Sequence, residues 1–399
     1  MVGERHPGPW LAEWPCVGFC VGLALGCRTA PPEPTVRETA QLGVAGAAAV
    51  ATPGVASGGS AGAAAASAAA VPAPDGIFSF ERVCMGTRCT IQAFHHDRAL
   101  FDRATLRAMA EIDRLDALMS TWVPTSDVSR INAAAGNGEW ISVAPETFLV
   151  LEKSLWIARE SRGAFDITVG AFKGLWKFDE DNDGSLPQRA DVTKALKLVD
   201  YRGLQLDAAQ SKARLARAGQ SLTLGGIAKG LVVDRAVAEL RAAGLSNFLM
   251  QAGGDLYAAG KRGDRDWKVG IQDPRAQAHD ERSVDTSFAL LSLHDSAFNT
   301  SGDYERFILR EGKRYHHILD PRTGYPVSTT RSVTVLAASS FVADTLDTAA
   351  FVLGPVQGMK LIESQPGVEA VIVDSKNQVH LSRGLQGRLR LLRTPTDGP

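Results

Sequence analysis

The amino-acid sequence predicts an α+β domain in which mixed, mostly antiparallel sheets carry flanking helices. Short runs rich in branched and aromatic residues outnumber the runs with helical spacing, and glycine-rich turns fall where the short runs end. The chain has 399 residues, of which 45% are hydrophobic and 22% are charged, with a formal net charge of -1. This composition is typical of a globular protein and gives no reason to expect a nucleic-acid partner.

The N-terminal region differs in character from the rest of the chain. Residues 16–27 are apolar but too short to span a membrane comfortably as a mature helix, so they fit the core of an export signal. The preceding Leu-Ala-Leu-Gly makes Cys27 resemble the lipidated residue of a bacterial lipoprotein. We therefore expect residues 1–27 to be a signal sequence that leaves the protein lipid-anchored to the bacterial inner membrane, facing the periplasm. Acidic residues offset the positive charge of Arg5 in the leading region, which is usually basic in an export signal. A plain cleaved signal is the alternative interpretation.

A low-complexity segment follows. Residues 28–76 are dominated by Ala, Pro, Gly and Ser and lack the aromatic and branched residues that offset the entropy cost of ordering. We expect a disordered tether that holds the following domain, residues 77–393, away from the membrane.

The domain opens with residues 78–94, whose alternation predicts one strand with Gly86 as a bulge or a point of close approach. Cys84 and Cys89 flank this point. Export would permit a disulfide between them, and two small core residues are an equal alternative.

Two helices, a polar loop and a glycine-bounded segment are predicted next. Apolar residues at helical spacing predict a helix over 106–119, and a second helix begins near Pro145. Trp122, in the polar loop between them, is suited to stacking on a ligand ring, although a lone Trp is more often a core residue. Residues 163–170 form a glycine-bounded strand or turn that contains one acid, Asp166.

Two further segments resemble ligand-binding loops. Residues 179–184 match the start of an EF-hand loop, but Ala190 stands where a bidentate Glu is needed, so we interpret them as a solvated turn. Residues 221–235 predict a strand, a turn with a glycine pair at 225–226 and a helix start, where backbone amides suit phosphate oxygens. Lys229 adds a positive charge, and the spacing is not that of a Walker loop.

The C-terminal half is rich in predicted strands. Pro321 and Gly324 form a tight turn that presents His316 and His317, and an imidazole accepts a proton near neutral pH. The predicted strands cover residues 247–255, 267–272, 288–293, 332–337, 368–374 and 379–381.

Residues 341–354 have an apolar face at helical spacing and end at Gly354. Asp344 and Thr348 lie one turn apart on the same face of this helix. Their oxygens are ligands that magnesium accepts while it keeps water and a substrate phosphate. Combined with the glycine-rich turns, a stacking aromatic and a proton acceptor, they predict attack on a nucleotide pyrophosphate.

The sequence resembles the ApbE family of FAD:protein FMN transferases over essentially the whole domain after the tether. The motifs that carry the resemblance, in family order, are MGT (85–87), SDVSRIN (126–132), GAFD (163–166), LGGIAKG (224–230), GGD (253–255), TSGDYER (300–306), HHILDPRTGYP (316–326) and ADTLDTA (343–349). The resemblance implies an ApbE-like, T-fold-like architecture with two interleaved subdomains.

The resemblance also implies a reaction. The enzyme would split FAD at its pyrophosphate, transfer FMN to a Thr or Ser hydroxyl of an exported target flavoprotein and release AMP. Mg²⁺ would be bound by Asp344, Thr348 and a backbone carbonyl at Gly226. His317 would take the hydroxyl proton, with His316 as the fallback. The residues implied to line the nucleotide site are Met85, Trp122, Ala164, Phe165, Asp166, Thr223, Lys229, His316 and Ile318.

Two positions depart from the family pattern. Thr223 stands where many members place an Asp that bears on a FAD contact, and Asp347 adds a charge where small residues are common. Two other functions are open: a FAD pyrophosphatase that gives FMN and AMP, and a flavin-binding lipoprotein without catalysis. The intact Asp344, Thr348 and His317 argue against the second.

Overall fold

The fold is organised around one large antiparallel sheet. A computed structural model describes residues 76–178, 182–276 and 286–398. The expected signal sequence and lipid anchor, the tether before Gly76 and the first half of the acidic turn at 179–184 lie outside the described residues. The domain expected from residue 77 begins with a strand at Gly76.

The large sheet has eight strands, each antiparallel to its neighbours. Across the sheet the order is β1 (Gly76–Cys84), β2 (Thr87–His95), β6 (Phe248–Ala252), β7 (Asp255–Ala259), β10 (Ser296–Gly302), β15 (Thr330–Ala337), β16 (Glu369–Asp374) and β17 (Val379–Leu381). Strands β7 and β10 lie at the centre of the sheet and pair with Asp255 opposite Asn299, which brings the polar start of β7 beside the second half of β10.

Four smaller sheets complete the strand content of the described residues. They contain β3 (Ile141–Ser142) with β5 (Lys212–Leu215) and β4 (Leu204–Asp207), β8 (Trp267–Gln272) with β9 (Ser287–Leu293) and β18 (Arg390–Leu391), the hairpin β11 (Phe307–Arg310) and β12 (Lys313–His316), and the short pair β13 (Leu319–Asp320) and β14 (Tyr325–Pro326). The α+β prediction with mostly antiparallel sheets is confirmed.

The helices are α1 (Arg98–Met119), α2 (Asp127–Ala133), α3 (Pro145–Glu160), α4 (Arg189–Leu196), α5 (Ala228–Ala242) and α6 (Ser340–Glu363). Helices α1, α5 and α6 bury their apolar faces in a main core with one face of the large sheet. A second core packs the opposite face of that sheet against β8 and β9. The apolar surface buried in these two cores stabilises the packing of the helices on one face of the sheet and of β8 and β9 on the other.

The prediction of one strand over residues 78–94 is wrong. The chain reverses at Met85 and Gly86, both with positive φ (49° and 68°), and Cys84 pairs with Thr87. A two-residue loop of this kind matches the twist of a hairpin, and alternation continues through it, so periodicity alone cannot reveal the reversal. Cys84 and Cys89 are joined by a disulfide across this hairpin.

Two other local predictions need adjustment. The helix predicted over 341–354 does end at Gly354 (φ 77°), but after this break the chain resumes a helix with Pro355 at its start, which runs to Glu363. The strand expected at the start of residues 221–235 is reduced to a single bridge between Ser221 and Val169. Within the residues that the structure describes, no helix is both long and apolar enough to cross a membrane.

Candidate active site

The glycine-rich turn (residues 225–230) lies against the first half of α6. The backbone amide of Gly230 donates to Oδ2 of Asp344 at 2.7 Å. A Cβ built on Gly226 would lie 3.6 Å from Oγ1 of Thr348 and 3.5 Å from the ring of Phe165. The structure therefore brings together Gly226, Asp344 and Thr348, which the resemblance implied as metal ligands.

Three buried carboxylates form a cluster beside this turn. Asp255, Asp344 and Asp347 each offer an oxygen within 4.8 Å of the others, and each residue is 1% exposed. Nζ of Lys229 lies 2.8 Å from Oδ2 of Asp255 and 3.7 Å from Oδ1 of Asp344. When all three carboxyl groups are ionised, one ammonium beside them leaves an excess of negative charge, which a bound divalent cation would balance. Hard oxygen donors with such a charge fit a divalent cation of the magnesium type.

The charges in the carboxylate cluster shift one another's protonation. Burial raises the pKa of Asp255 to about 7, and the neighbouring Asp344 acts in the same direction. Burial, then Asp344 and Asp255, raise the pKa of Asp347 well above its ordinary value. Burial lowers the pKa of Lys229, but the charges of Asp255 and Asp344 outweigh it, so the net pKa is raised and the ammonium stays charged.

Thr348 is held by its neighbours on two sides. Its Oγ1 donates to Oδ1 of Asp347 at 3.2 Å and lies 3.1 Å from Oγ of Ser301, at the end of β10. Ser301, Asp255 and Asp347 belonged to motifs in the sequence but were not assigned to the metal site. A polar residue directly after the glycine pair at 253–254 was the available signal for Asp255.

The glycine pair at 253–254 joins the carboxylate cluster to the β1–β2 hairpin. The amide of Gly253 donates to the carbonyl of Arg88 at 2.9 Å, and a Cβ on Gly253 would lie 2.8 Å from Oγ1 of Thr87. A Cβ on Gly254 would lie 2.4 Å from the carbonyl oxygen of Thr300. The hairpin turn that contains Met85 is therefore packed beside the strand that begins at Asp255.

Residues 164–168 pack beside the glycine-rich turn and are held in place by hydrogen bonds. Asp166 is buried, and its Oδ1 accepts from the amide (2.8 Å) and Oγ1 (2.6 Å) of Thr168, while Oδ2 accepts from the amide of Tyr201 at 2.7 Å. Burial raises the pKa of Asp166 in spite of these bonds. Ala164 and Phe165 are also buried. The amide of Thr223 donates to the carbonyl of Ile167 at 2.8 Å, which fixes this segment beside the turn.

The two adjacent histidines have different surroundings. His316 is buried, its Nε2 lies 2.6 Å from the carbonyl oxygen of Val327, and its Nδ1 accepts from the amide of Ile318 at 3.3 Å. Both ring nitrogens are engaged, so His316 anchors the turn, and it is poorly suited to the fallback role as a base. Ile318 is buried beside it.

His317 is only half-buried, and its Nδ1 lies 3.4 Å from the carbonyl oxygen of Arg306. In the tautomer with Nδ1–H facing that carbonyl, Nε2 keeps its lone pair. Burial, with the positive charge of Arg306 next, lowers the pKa of His317 well below its ordinary value. The imidazole is therefore neutral at physiological pH and able to accept a proton.

Trp122 lies on the surface, 77% exposed, with Nζ of Lys173 4.2 Å above its ring. This placement leaves an indole face open for stacking, and it differs from the core position that a lone Trp more often takes.

Comparison with known proteins identifies the relatives of this fold. The ApbE family model matches residues 85–372 of the chain. The FAD:protein FMN transferase of Treponema pallidum (strain Nichols) is 34% identical over 331 residues, which cover 79% of this chain and 89% of that protein. The protein of the same name from Klebsiella pneumoniae (strain 342) is 30% identical over 309 residues, or 77% of this chain and 92% of that one.

Solved structures agree with the sequence relatives. The ApbE protein of Thermotoga maritima has a TM-score of 0.68 at 30% identity, over 78% of this chain and 99% of that chain. The flavin transferase ApbE of Vibrio cholerae has a TM-score of 0.68 at 24% identity, over 79% and 100% of the two chains, and shares the fold. Because the ApbE family model matches residues 85–372, and the two sequence relatives are at least 30% identical over more than three quarters of this chain, the chain belongs to the ApbE family.

Proposed function

We propose that this protein is an enzyme that transfers the FMN part of FAD to a Thr or Ser hydroxyl of a target protein, with release of AMP and with dependence on magnesium. One observation carries the proposal: Asp344 and Thr348 on α6 lie against the glycine-rich turn, beside an ammonium and an excess of buried carboxylates. The Lys229 ammonium, and a divalent cation at the carboxylates, would supply the positive charge that a pyrophosphate needs beside this turn.

The metal is assigned to Asp344, Thr348 and the backbone carbonyl of Gly226. When bound, Mg²⁺ would neutralise phosphate charge and polarise the phosphorus under attack. Asp347 is not a metal ligand in this assignment. Its Oδ1 accepts a hydrogen bond from the Thr348 hydroxyl and so orients the Thr348 oxygen. Lys229 remains charged, and it offsets the carboxylates on one side while it offers a cation to phosphate oxygens on the other.

The chemical step is a substitution at phosphorus. The acceptor hydroxyl oxygen forms a bond to the phosphorus on the FMN side, the bond from that phosphorus to the bridging oxygen breaks, and AMP leaves with the bridging oxygen. His317 takes the hydroxyl proton, and its neutral state at physiological pH suits this role. Positioning of the two phosphates supplies most of the remaining acceleration.

The nucleotide is assigned to the surfaces around the cluster. The lining residues are Met85, Trp122, Ala164, Phe165, Asp166, Thr223, Lys229, His316 and Ile318. Within this set Asp166, whose carboxylate already accepts three protein hydrogen bonds, acts by holding its loop in shape, and His316 acts in the same way on the other wall. Trp122 offers its exposed ring for stacking.

We also propose that the protein acts at the periplasmic face of the inner membrane, tethered by a lipid on Cys27. The apolar stretch before that cysteine and the Ala/Pro/Gly-rich segment after it support this proposal. Labelling with a radioactive fatty acid checks the anchor, because Cys27→Ser should remove the label.

The transfer reaction is tested by mass spectrometry of a candidate exported flavoprotein incubated with the full chain, FAD and Mg²⁺. The expected product is a Thr- or Ser-containing peptide that carries FMN, with AMP formed in equal amount. Asp344→Asn should abolish the product, whereas Asp191→Asn, at an exposed position of α4, should not.

The same reaction separates the alternatives. Release of free FMN and AMP at an undiminished rate without a target would make the protein a FAD pyrophosphatase. FAD binding with neither product, when an authentic target is present, would make it a flavin-binding protein without catalysis.

A further inference from the structure

Helices α5 and α6 each place an Asp carboxylate at the N-terminal end of the other helix. Oδ2 of Asp344, on α6, accepts from the amide of Gly230 in the first turn of α5 at 2.7 Å. In return Asp234, on α5, accepts from two amides in the first turn of α6: Ser340 at 2.8 Å through Oδ1 and Phe341 at 3.0 Å through Oδ2. Each helix therefore satisfies free N–H groups of the other, and each carboxylate lies at a positive helix end.

The two links have the same spacing along their helices. Asp234 follows Gly230 by four residues, and Asp344 follows Ser340 by four residues, so on each helix the donor and the carboxylate lie one turn apart on the same face. Sliding α6 along α5 would break both links at once. The pair of links therefore fixes where α6 begins and how far along α5 its first turn lies.

Close approach of the helices is built into the sequence at Gly230. A Cβ there would lie 2.4 Å from the carbonyl oxygen of Ser340 and 2.6 Å from Cβ of Asp344. Asn299 on β10 holds the start of α6 from the other side, because its Nδ2 donates to the carbonyl oxygen of Ser340 at 3.0 Å. Oγ of Ser339 adds a third hydrogen bond to Asp234 at 2.6 Å.

The two oxygens of the Asp344 carboxylate therefore have different partners. Oδ2 is bound to α5, and Oδ1 faces Lys229 in the carboxylate cluster. A displaced α6 would present Asp344 to the cluster with a different oxygen or at a different depth.

We propose that Asp234 is a positioning residue for the reaction: by capping α6 from α5 it sets the place of Asp344, and thereby the affinity of the site for a divalent cation. This inference rests on the proposed function, because it takes Asp344 as a metal ligand. Asp234 acts through the helix and touches neither the metal nor the substrate. Groups that orient metal ligands typically change metal affinity by about 10- to 100-fold when they are removed.

The test is direct binding of Mn²⁺ to the full chain, measured by electron paramagnetic resonance without FAD, with thermal unfolding recorded in parallel. Asp234→Asn keeps the shape of the side chain but replaces one of the two accepting oxygens by an NH2 group, which would face the donors at the start of α6. We expect its Kd for Mn²⁺ to rise at least about 10-fold. Asp97→Ala is the matched control, since Asp97 caps α1 through Leu100 at 2.9 Å. It should lower the Tm and leave the Kd within about twofold of the wild type, because a cap far from the site contributes only to stability.

Each result is decisive. An unchanged Kd in Asp234→Asn, with Mn²⁺ bound normally by the wild type, overturns the positioning role and leaves the proposed function intact. A wild type that binds no Mn²⁺, or whose Kd is not raised by Asp344→Asn, overturns the metal assignment and the inference with it. If Asp234→Asn does not fold, Ser339→Ala removes one of the three donors to Asp234. That variant should raise the Kd in the same direction by a smaller factor, and an unchanged value overturns the proposal.

Discussion

The amide of Gly230 lies 2.7 Å from Oδ2 of Asp344, and this hydrogen bond joins the glycine-rich turn to the helix that carries the proposed metal ligands. The two residues are 114 positions apart in the sequence. Their contact places the glycine-rich turn against the carboxylate cluster, so the geometry of the proposed site depends on how closely α5 and α6 approach.

Gly230→Ala should damage the site and the fold together. The new Cβ would meet the backbone carbonyl of Ser340 at 2.4 Å, and backbone atoms of a packed helix cannot move aside cheaply. Forced overpacking typically costs about 1–3 kcal/mol of unfolding free energy. Urea denaturation should show this loss, and Mn²⁺ binding should weaken. Gly76→Ala, where no atom lies within 4 Å of the new Cβ, is the control and should change neither.

Lys229→Met should destabilise the metal-free protein in a pH-dependent way. The variant leaves three buried carboxylates without an ammonium, and loss of one partner from a buried ion pair costs roughly 3–5 kcal/mol. The pKa of Asp255, already raised to about 7, should rise further. The folded state then holds a proton that the unfolded chain has lost, so unfolding free energy falls as pH rises.

Urea denaturation at pH 6 and pH 8 checks this sign. The loss in Lys229→Met should be larger at pH 8, and Mg²⁺ should restore part of it by mass action. Lys261→Met, which removes an exposed partner of Asp266, should have little effect at either pH. A loss that grows toward acidic pH would contradict the electrostatic account of the cluster.

Arg275→Met should be costly because Arg275 and Asp303 form a buried pair at the end of β10. Nη1 and Nη2 of Arg275 donate to the two carboxylate oxygens at 2.7 Å and 2.8 Å, and both side chains are less than a tenth exposed. The substitution removes both of these hydrogen bonds from the buried Asp303 carboxylate, so we expect a loss of about 3–5 kcal/mol by urea denaturation. Arg107→Met breaks an exposed pair with Glu239 and should cost less than about 1 kcal/mol. Equal losses of unfolding free energy in the two variants would refute the claim that the buried pair contributes more than the exposed one.

Much of the site could be recognised from local sequence, and the reasons are physical. Asp344 and Thr348 lie at a helical spacing that places them on one face, and a glycine pair marks a turn where backbone approaches another group. The fold class followed from the excess of short apolar runs over helical ones. Gly354 also ended the first part of α6 as its conformational freedom predicts.

What the sequence could not supply were contacts between distant segments. Asp255 joins the cluster only because β7 pairs with β10 and Lys229 reaches across from α5, and no local pattern encodes that meeting. The hairpin at Met85 was missed because alternation is the same in one long strand and in two short ones. The different surroundings of His316 and His317 depend on Val327 and Arg306, which belong to other segments.

The pH dependence of transfer should be set on its acid side by His317. Burial lowers its pKa first, and the charge of Arg306 lowers it further, so the base stays neutral as pH falls below 6.5 and activity is lost only when pH reaches the lowered value. Removing that charge in Arg306→Ala should raise the pKa of His317 and move the acid limb of kcat to higher pH by about half a pH unit. The relative loss of activity should therefore be larger at acidic pH than at pH 8.

A matched variant separates this effect from a general loss of charge on the same hairpin. Arg310 is exposed and lies 3.9 Å from Glu311, on the far end of the hairpin, so Arg310→Ala should leave the acid limb in place. His317→Ala should remove most of the activity at every pH, because no other imidazole in the described turn has a free ring nitrogen: both nitrogens of His316 are occupied. If Arg306→Ala and the wild type share one acid limb while His317→Ala is inactive, His317 serves in another capacity than as the base whose titration limits kcat.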